Sequence, residues 1–193
     1  MIKINIDEAI VNDFYDGVKK YIGKIFFVSN PEKDYFSDAK IKEIIKCKIE
    51  NFPKIIKEIE RLGIDEKLVK KAFVGDEANN FGYKKFTTKA KTQYRAYNLS
   101  EALNIDVCLY CNKNYTYTIV NKTKQYIRPD FDHFLDKESY PYLAMSFYNL
   151  IPSCQTCNRT LKHTQRFLLT THIHPYKDDF NSIKKFTTTK PLL

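Results

Sequence analysis

Apolar residues in the first half of the chain recur three and four positions apart. The segment AKIKEIIKCKIENFPKIIKEIERLG shows this spacing most clearly, and the pattern predicts amphipathic helices from about residue 6 to 74. Pro53 predicts either a helix break or the first turn of a new helix. Gly63 predicts a helix C-terminus, and Asp65 predicts the N-cap of the helix that follows.

The pattern changes after the helical region. Residues 75–87 are polar with two glycines and mark a candidate boundary, and a helix is predicted over 90–105. The segment NYTYTIV alternates and predicts a strand, as does KQYIRPDFDHF, in which Pro129 indicates an edge or a bend. A further helix is predicted to open at CNRTLKHTQRF. These elements together predict an α+β fold.

The composition is that of a globular protein with a basic surface. Hydrophobic residues make up 43% of the 193 residues, and 32 Lys and Arg against 23 Asp and Glu leave a formal net charge of +9. A polyanionic partner is expected, with nucleic acid first and an anionic membrane surface second. A simpler explanation is that the net charge only keeps the protein in solution.

No targeting or membrane signal is visible. The N-terminal segment MIKINIDEAIVNDF has early acids and no continuous apolar core, so it does not resemble a signal peptide, and no window approaches 18 uncharged apolar residues. A cytoplasmic location is expected, where paired cysteines are interpreted as metal ligands before disulfides. The terminal TTTKPLL carries no stop feature and leaves open whether the chain is a fragment.

Four of the five cysteines form two pairs, CLYC and CQTC. Cys108 and Cys111 make the first, and Cys154 and Cys157 make the second. Two such pairs can close a tetrahedral zinc site, whereas a thioredoxin-like redox role needs one pair only. Core thiols are the plainest alternative. The pairs predict structural zinc, and the 42 residues between them exceed an ordinary short zinc ribbon.

Between and after these pairs lie polar residues that can bind a divalent cation and take a proton from water. Asp132 and His133 are adjacent at the expected end of a strand, Asn149 follows in YNLIP, and Asn158 comes directly after the last cysteine. A carboxylate and an amide oxygen suit a hard divalent cation, and a neutral imidazole can take a proton from water. An isolated Asp-His pair is more often a strand-end dipeptide, but its position beside the cysteines favours a site.

The order D-H, N-L and C-x-x-C-N resembles the signature of HNH endonucleases of the ββα-metal fold, in its zinc-containing form. The resemblance covers a core of about 104–165, roughly a third of the chain. It implies that Asp132 and Asn158 bind a catalytic Mg²⁺ or Mn²⁺, that His133 is the general base and that the Asn149 amide braces the loop. Some relatives have a further His ligand where this chain has Lys162, which suggests two protein ligands and makes Lys162 a candidate phosphate contact.

A longer string, CLYCNKNYTYTI … DHFLDKESYPYLAMSFYNLIPSCQTCN … IHPY, resembles the nuclease subunit of Septu-type antiphage systems (PtuB-like) and related retron-associated HNH proteins. This resemblance implies a defence nuclease that works with an ABC/SMC-like ATPase partner. The candidate boundary at 75–87 divides the chain into a mainly helical region, 1–87, for which partner docking is predicted, and an HNH nuclease domain, 88–193. A simpler role for the helices is a layer that completes the fold over the nuclease strands.

The implied reaction is hydrolysis of phosphodiester bonds in nucleic acid, DNA in the first instance. Because His133 must be neutral to act, activity is expected to rise through about pH 6–7. Side chains expected near phosphates comprise an inner set and an outer set. The inner set is Lys113, Lys122, Lys124, Arg128, Arg159 and Lys162, and the outer set is Lys84, Lys85, Lys89 and Lys91.

Several residues keep two interpretations. Asp130 shares a strand face with Asp132 and is a candidate substitute ligand or supporting partner. His172 and His174 can form a second metal site, although packing at the end of the fold is favoured; His163 is interpreted as a surface residue and Cys47 as a core thiol. Tyr115, Tyr117 and Ile119 can stack bases, although cross-strand packing is the more usual role. The rival function is a non-catalytic zinc module that binds nucleic acid or protein.

Overall fold

The computed structural model of the chain describes residues 4–90, 92–121 and 124–178. These residues form an α+β fold in which helices precede two small antiparallel sheets. None of the described helices is long and apolar enough to cross a membrane. The α-helices are α1 Glu8–Val18, α2 Glu32–Tyr35, α3 Asp38–Lys46, α4 Phe52–Leu62, α5 Glu66–Phe73, α6 Gly82–Thr87 and α7 Ala96–Leu103.

Local sequence signals set the helix ends as predicted. Pro53 lies in the first turn of α4, and Gly63 ends that helix in the left-handed conformation, with φ 61°. The Asp65 carboxylate caps α5 by accepting hydrogen bonds from the backbone N–H groups of Lys67 and Leu68. These three predictions are confirmed. The helix predicted over 90–105 is shorter than expected, because α7 begins only at Ala96.

The strands pair differently from the prediction. Strands β1 Ile119–Val120 and β2 Gln125–Ile127 form one sheet, and β3 Asp130–His133 and β4 Leu150–Ser153 form another. The single strand predicted over KQYIRPDFDHF is therefore wrong. Residues 125–127 pair with β1, whereas residues 130–133 pair with β4. The pairing partner changes at Pro129, because proline has no N–H with which to continue a ladder of hydrogen bonds.

A π-helix, Thr156–Lys162, follows β4. The next residue, His163, caps its C-terminus and has a φ of 40°. The π-helix lies where the sequence predicts a helix opening. The order β3, β4, π-helix places the two strands and the helix next to one another in the chain. Asp130 and Asp132 both reach this helix from β3, since alternate residues of a strand point to the same side.

One hydrophobic cluster joins the helical region to the strands. The Phe14 ring of α1 lies 5.6 Å from both the Phe86 ring of α6 and the Phe147 ring before β4. Phe86 in turn lies 6.0 Å from Phe131 of β3. The residues on both sides of the predicted boundary at 75–87 therefore share a core, as the fold-completing role of the helices requires.

Candidate functional site

The four paired cysteines come together at one point. Their sulfur atoms all lie within 4.8 Å of one another; Cys108, Cys154 and Cys157 are buried, and Cys111 is exposed. A tetrahedral ion with Zn–S bonds of about 2.3 Å separates its sulfurs by about 3.8 Å, which fits this cluster. The four cysteines can therefore bind a metal ion such as zinc.

Neighbouring N–H groups favour a thiolate within the cluster. Cys154 Sγ accepts hydrogen bonds from Asn114 Nδ2 at 3.2 Å and from the Cys157 backbone N–H at 3.4 Å. Burial acts to raise the pKa of Cys154, but these donors, together with hydrogen bonds from the Cys157 and Cys108 thiols, outweigh it and lower the pKa to about 7. Metal binding needs deprotonated thiols, so the donors prepare the site for an ion.

Tyr110 connects the first cysteine pair to Asp132. It lies between Cys108 and Cys111 in the chain, and its hydroxyl donates to Asp132 Oδ2 at 2.5 Å. Burial is the main reason that the pKa of Tyr110 is raised, so the hydroxyl stays protonated and acts as a donor. Tyr110 is not among the predicted site residues, although its position inside CLYC is a usable signal.

The Asp132 carboxylate is buried and holds a lysine. Lys162 Nζ donates to Asp132 Oδ2 at 2.7 Å and also to the backbone carbonyls of His133 and Phe134. Burial raises the pKa of Asp132 despite the opposing effects of Lys162 and Tyr110. Both side-chain donors lie on Oδ2, so a divalent ion held by this carboxylate would take Oδ1.

His133 is oriented by a backbone carbonyl. Its Nε2 lies 3.0 Å from Ala144 O, and because a carbonyl only accepts, Nε2 carries the proton and Nδ1 keeps the lone pair. The ring packs against Tyr83 with centroids 4.3 Å apart, and the Tyr83 hydroxyl donates to Phe131 O at 2.7 Å. Tyr83 belongs to α6, and nothing in its local sequence pointed to the site.

Burial lowers the pKa of His133 to about 3, and the positive charge of Lys137 adds to this shift. The imidazole is therefore neutral well below pH 6. The rise in activity through pH 6–7, which an ordinary histidine pKa predicts, is not expected from His133.

Asn149 holds the loop between β3 and β4 to the end of β3. Its Oδ1 accepts from the Leu135 N–H at 2.7 Å, and its Nδ2 donates to the carbonyls of Leu135 and Leu143 at 3.0 and 3.1 Å. The side chain is fully buried. The Leu143 contact lies next to Ala144, whose carbonyl orients His133, so Asn149 positions that carbonyl indirectly.

We expect Asn149→Ala to lower the free energy of unfolding by about 3–5 kcal/mol, because it leaves three buried backbone groups without their partner. Urea denaturation of the zinc-loaded protein measures this loss. Asn149→Asp keeps the acceptor but loses both donors and also buries a carboxylate, so it should be destabilised as well. A loss below about 1 kcal/mol for Asn149→Ala would contradict the bracing role.

Asn158 and Asp130 form a second group at the start of the π-helix. Asn158 Nδ2 donates to Asp130 Oδ2 at 3.3 Å, and Arg159 makes two hydrogen bonds to the same carboxylate, at 2.7 and 2.9 Å. Since the Asn158 amide nitrogen faces Asp130, its oxygen remains to serve a ligand. Asp130 is thus the partner of Asn158 and Arg159, in line with the supporting role considered for it.

Asp132, His133 and Asn158 line one cleft of about 450 Å³, together with Tyr83 and Lys162. The lining carries both signs of charge, with Lys137 and Arg166 alongside Asp136 and Glu138. A carboxylate and an amide oxygen are ligand types that hard cations such as Mg²⁺ or Mn²⁺ prefer over soft metals, and here the Lys162 ammonium already holds the Asp132 carboxylate.

The side chains that were expected to contact phosphate differ in their surroundings. The ammonium of Lys162 is directed inward to Asp132, so its role in the structure is that of an internal partner and not of an exposed phosphate contact. Arg159 is paired with Asp130 although its side chain is 65% exposed, and Arg128 donates to Pro129 O at 2.6 Å. Lys91 and Lys122 lie outside the described residues.

Among the described residues, the four paired cysteines are the group of three or more potential metal ligands that lie close together. His163, His172 and His174 belong to no such group there. His174 is buried against Phe134, with ring centroids 4.3 Å apart, and its Nδ1 accepts from the Tyr176 N–H. His172 stacks on Phe167 at 4.3 Å. Packing is therefore the role that both show. His163 is exposed and Cys47 is buried, as expected.

No protein-family model, curated protein or solved structure matches this chain. Any function assigned to the chain therefore rests on the arrangement of the site itself.

Proposed function

We propose that the chain is a metal-dependent endonuclease of the HNH type that hydrolyses phosphodiester bonds of nucleic acid, with DNA as the first substrate. The observation that carries the proposal is the common cleft of Asp132, His133 and Asn158, in which His133 is neutral and keeps a lone pair on Nδ1. A carboxylate, an amide and an imidazole base are the parts that metal-assisted hydrolysis requires.

The order of elements supports the same proposal. Asp132 and His133 end β3, Asn149 precedes β4, and Asn158 lies in the π-helix after that strand. Two antiparallel strands and a helix in this order are what the HNH resemblance implies. The cysteine cluster supports the two ends of this unit, because Cys157 precedes Asn158 and Tyr110 reaches Asp132.

In the proposed reaction, the Nδ1 atom of His133 takes a proton from a water whose oxygen bonds to the phosphorus opposite the leaving 3′-oxygen. The bond from phosphorus to the 3′-oxygen breaks, and that oxygen takes a proton from solvent to become the 3′-hydroxyl. The Ala144 carbonyl keeps the imidazole in the tautomer that can do this. Asp132 and Asn158 would hold a divalent ion, which supplies charge neutralisation for the phosphate and the leaving group. Lys137 and Arg166 line the same cleft and would attract the phosphate backbone, against the repulsion of Asp136 and Glu138. The products implied by the resemblance carry 5′-phosphate and 3′-hydroxyl ends.

The competing functions use fewer of these features. A non-catalytic zinc module needs the cysteines but gives His133 and its carbonyl partner no role. A dithiol redox protein needs one cysteine pair, whereas here four sulfurs gather within 4.8 Å.

A cleavage assay tests the proposal. Zinc-loaded protein is incubated with supercoiled plasmid, single-stranded DNA and RNA, in the presence of Mg²⁺ or Mn²⁺ or with no added divalent ion. We expect cleavage that requires the added ion, with 5′-phosphate ends on the products. Zinc-loaded protein that cuts none of the three substrates would contradict the proposal.

The resemblance also implies an antiphage role with an ABC/SMC-like ATPase, and we propose that the helical region binds this partner. Because the helices share the core of the site, deleting them would not leave a folded nuclease to test. Two exposed apolar side chains, Ile25 and Val28, instead offer a surface for protein contact, at 67% and 76% exposure.

We expect the double variant Ile25→Asp with Val28→Asp to reduce recovery of a co-expressed ATPase of this class about tenfold or more, because charges would enter an apolar interface. Quantitative co-purification measures the recovery. Leu168→Asp, at another exposed apolar residue, is the matched control and should keep the partner. Full recovery with the double variant would exclude this surface.

A further inference from the structure

Among the described residues from Tyr115 to Ile127, five large hydrophobic side chains are exposed: Tyr126, at 51%, and the four that follow. Tyr115 is 69% exposed, Tyr117 47%, Ile119 51% and Ile127 53%. Ile119 and Ile127 are direct partners across β1 and β2, so they lie on one face of that sheet. We call these four residues the aromatic face.

The threonines that alternate with the tyrosines point the other way and hold the segment to the protein. Thr116 is buried, and its hydroxyl donates to Ile105 O at 2.9 Å. The Thr118 hydroxyl makes a hydrogen bond with Ser100 of α7. The inner side is thus anchored, and the exposure of Tyr115 and Tyr117 shows that these two side chains lie on the outer side. The cross-strand role expected for this set holds in part, since Tyr115 pairs with Val107 and Ile119 with Ile127.

The two tyrosine rings already form a stack. Their centroids lie 4.9 Å apart and their planes differ by 12°. Since both side chains remain about half exposed or more, a flat ring can extend this stack from solvent. Nucleic-acid bases stack on aromatic side chains in this way, and unpaired bases do so most readily because their faces are accessible.

The charge around the aromatic face favours the same ligand. From residue 107 to 129 the sequence contains four basic residues, Lys113, Lys122, Lys124 and Arg128, and no acidic one. Lys124 lies over the Tyr126 ring at 5.1 Å, and Lys89 reaches the Gln125 carbonyl. Exposed rings among cations, without carboxylates in the segment, match a polyanion whose bases can stack.

The aromatic face is also close to the proposed nuclease cleft. Ile127 precedes Asp132 by five residues, and five residues span at most about 17 Å. A strand bound across the face can therefore continue into the cleft within a few nucleotides.

We propose that the aromatic face is a stacking platform for unpaired bases of DNA or RNA, which delivers a single-stranded or splayed segment to the cleft. This inference rests on the proposed nucleic-acid substrate but not on catalysis, because binding to the platform needs neither His133 nor a divalent ion.

Fluorescence anisotropy of the zinc-loaded full chain, with no added divalent ion, tests the platform. The probes are fluorescein-labelled oligo(dT) and oligo(U) of 20 nucleotides and a 20-base-pair duplex. We expect the double variant Tyr115→Ala with Tyr117→Ala to raise the Kd for single strands about thirtyfold, since each stacked ring contributes roughly tenfold and neighbouring contributions are not fully additive. The Kd for the duplex should rise less than about threefold.

Two variants separate stacking from other causes. Tyr115→Phe with Tyr117→Phe keeps the rings and should bind within about twofold of wild type, whereas a role of the hydroxyls would show as a loss. Leu168→Ala removes an exposed apolar side chain outside this segment, at 48% exposure, and should also bind as wild type. Circular dichroism and zinc content confirm that each variant is folded.

The outcomes for platform and nuclease are distinguishable. An oligonucleotide Kd that is unchanged in the alanine variant, or no single-strand binding by wild type, overturns the platform. Comparing oligo(dT) with oligo(U) shows whether DNA or RNA is preferred. Loss of binding in the alanine variant, together with no cleavage by wild type, supports the platform and contradicts only the proposed nuclease activity.

Discussion

Replacing His133 with alanine is expected to reduce the cleavage rate about a thousandfold while zinc content stays at the wild-type level. The imidazole of His133 is buried in the cleft with its Nε2 held by Ala144 O, which leaves Nδ1 free to accept a proton from water, and general bases typically contribute about 10²–10⁴-fold. The variant keeps the four cysteines, so a zinc module without catalysis would lose nothing. Single-turnover cleavage with Mn²⁺, alongside metal analysis, measures both quantities.

His163→Ala is the matched control for this experiment. His163 lines the same cleft but is exposed, and its loss should change the rate less than about threefold. Because the pKa of His133 is about 3, its protonation should not limit the wild-type rate between pH 6 and 8. If zinc-loaded His133→Ala cuts at the wild-type rate, the nuclease mechanism proposed for this site is wrong.

Replacing Cys111 with serine is expected to remove the bound zinc and to lower the melting temperature by about 10–20 °C. Cys111 is exposed, so the change creates no cavity, and its effect comes from the lost metal ligand. A structural zinc contributes several kcal/mol to folding, and each kcal/mol is worth about 2–4 °C in a chain of this size. Metal analysis and thermal unfolding monitored by circular dichroism measure the two effects.

Cleavage should fall together with zinc content, because Tyr110 and Asn158 are chain neighbours of the cysteines; Tyr110 holds Asp132, and Asn158 itself lines the cleft. Cys47→Ala is the matched control, since Cys47 is a buried thiol outside the cluster and its replacement should leave the zinc in place. A Cys111→Ser protein with one tightly bound zinc per chain would show that Cys111 is not a ligand.

Helix ends were predictable because their signals are local. The Asp65 cap, the left-handed Gly63 and Pro53 in a first turn each depend on residues within one helical turn. Strand pairing was predicted wrongly because it depends on distant partners. The segment with Asp132 pairs with β4, some twenty residues later, and not with the strand next to it in sequence.

The chain neighbours within the site can be read from the amino-acid order alone. They include the spacing of each cysteine pair, the adjacency of Asp132 and His133, and the step from Cys157 to Asn158. These features depend on covalent connectivity, so no knowledge of packing is needed to find them.

The surroundings of each side chain, in contrast, emerge only when the chain is folded. The fold brings Tyr83 from the helical region against His133, turns the Lys162 ammonium inward to Asp132, and leaves Tyr115 and Tyr117 exposed. Burial, tautomer and charge pairing arise from contacts between residues far apart in the chain, and periodicity carries no information about such contacts.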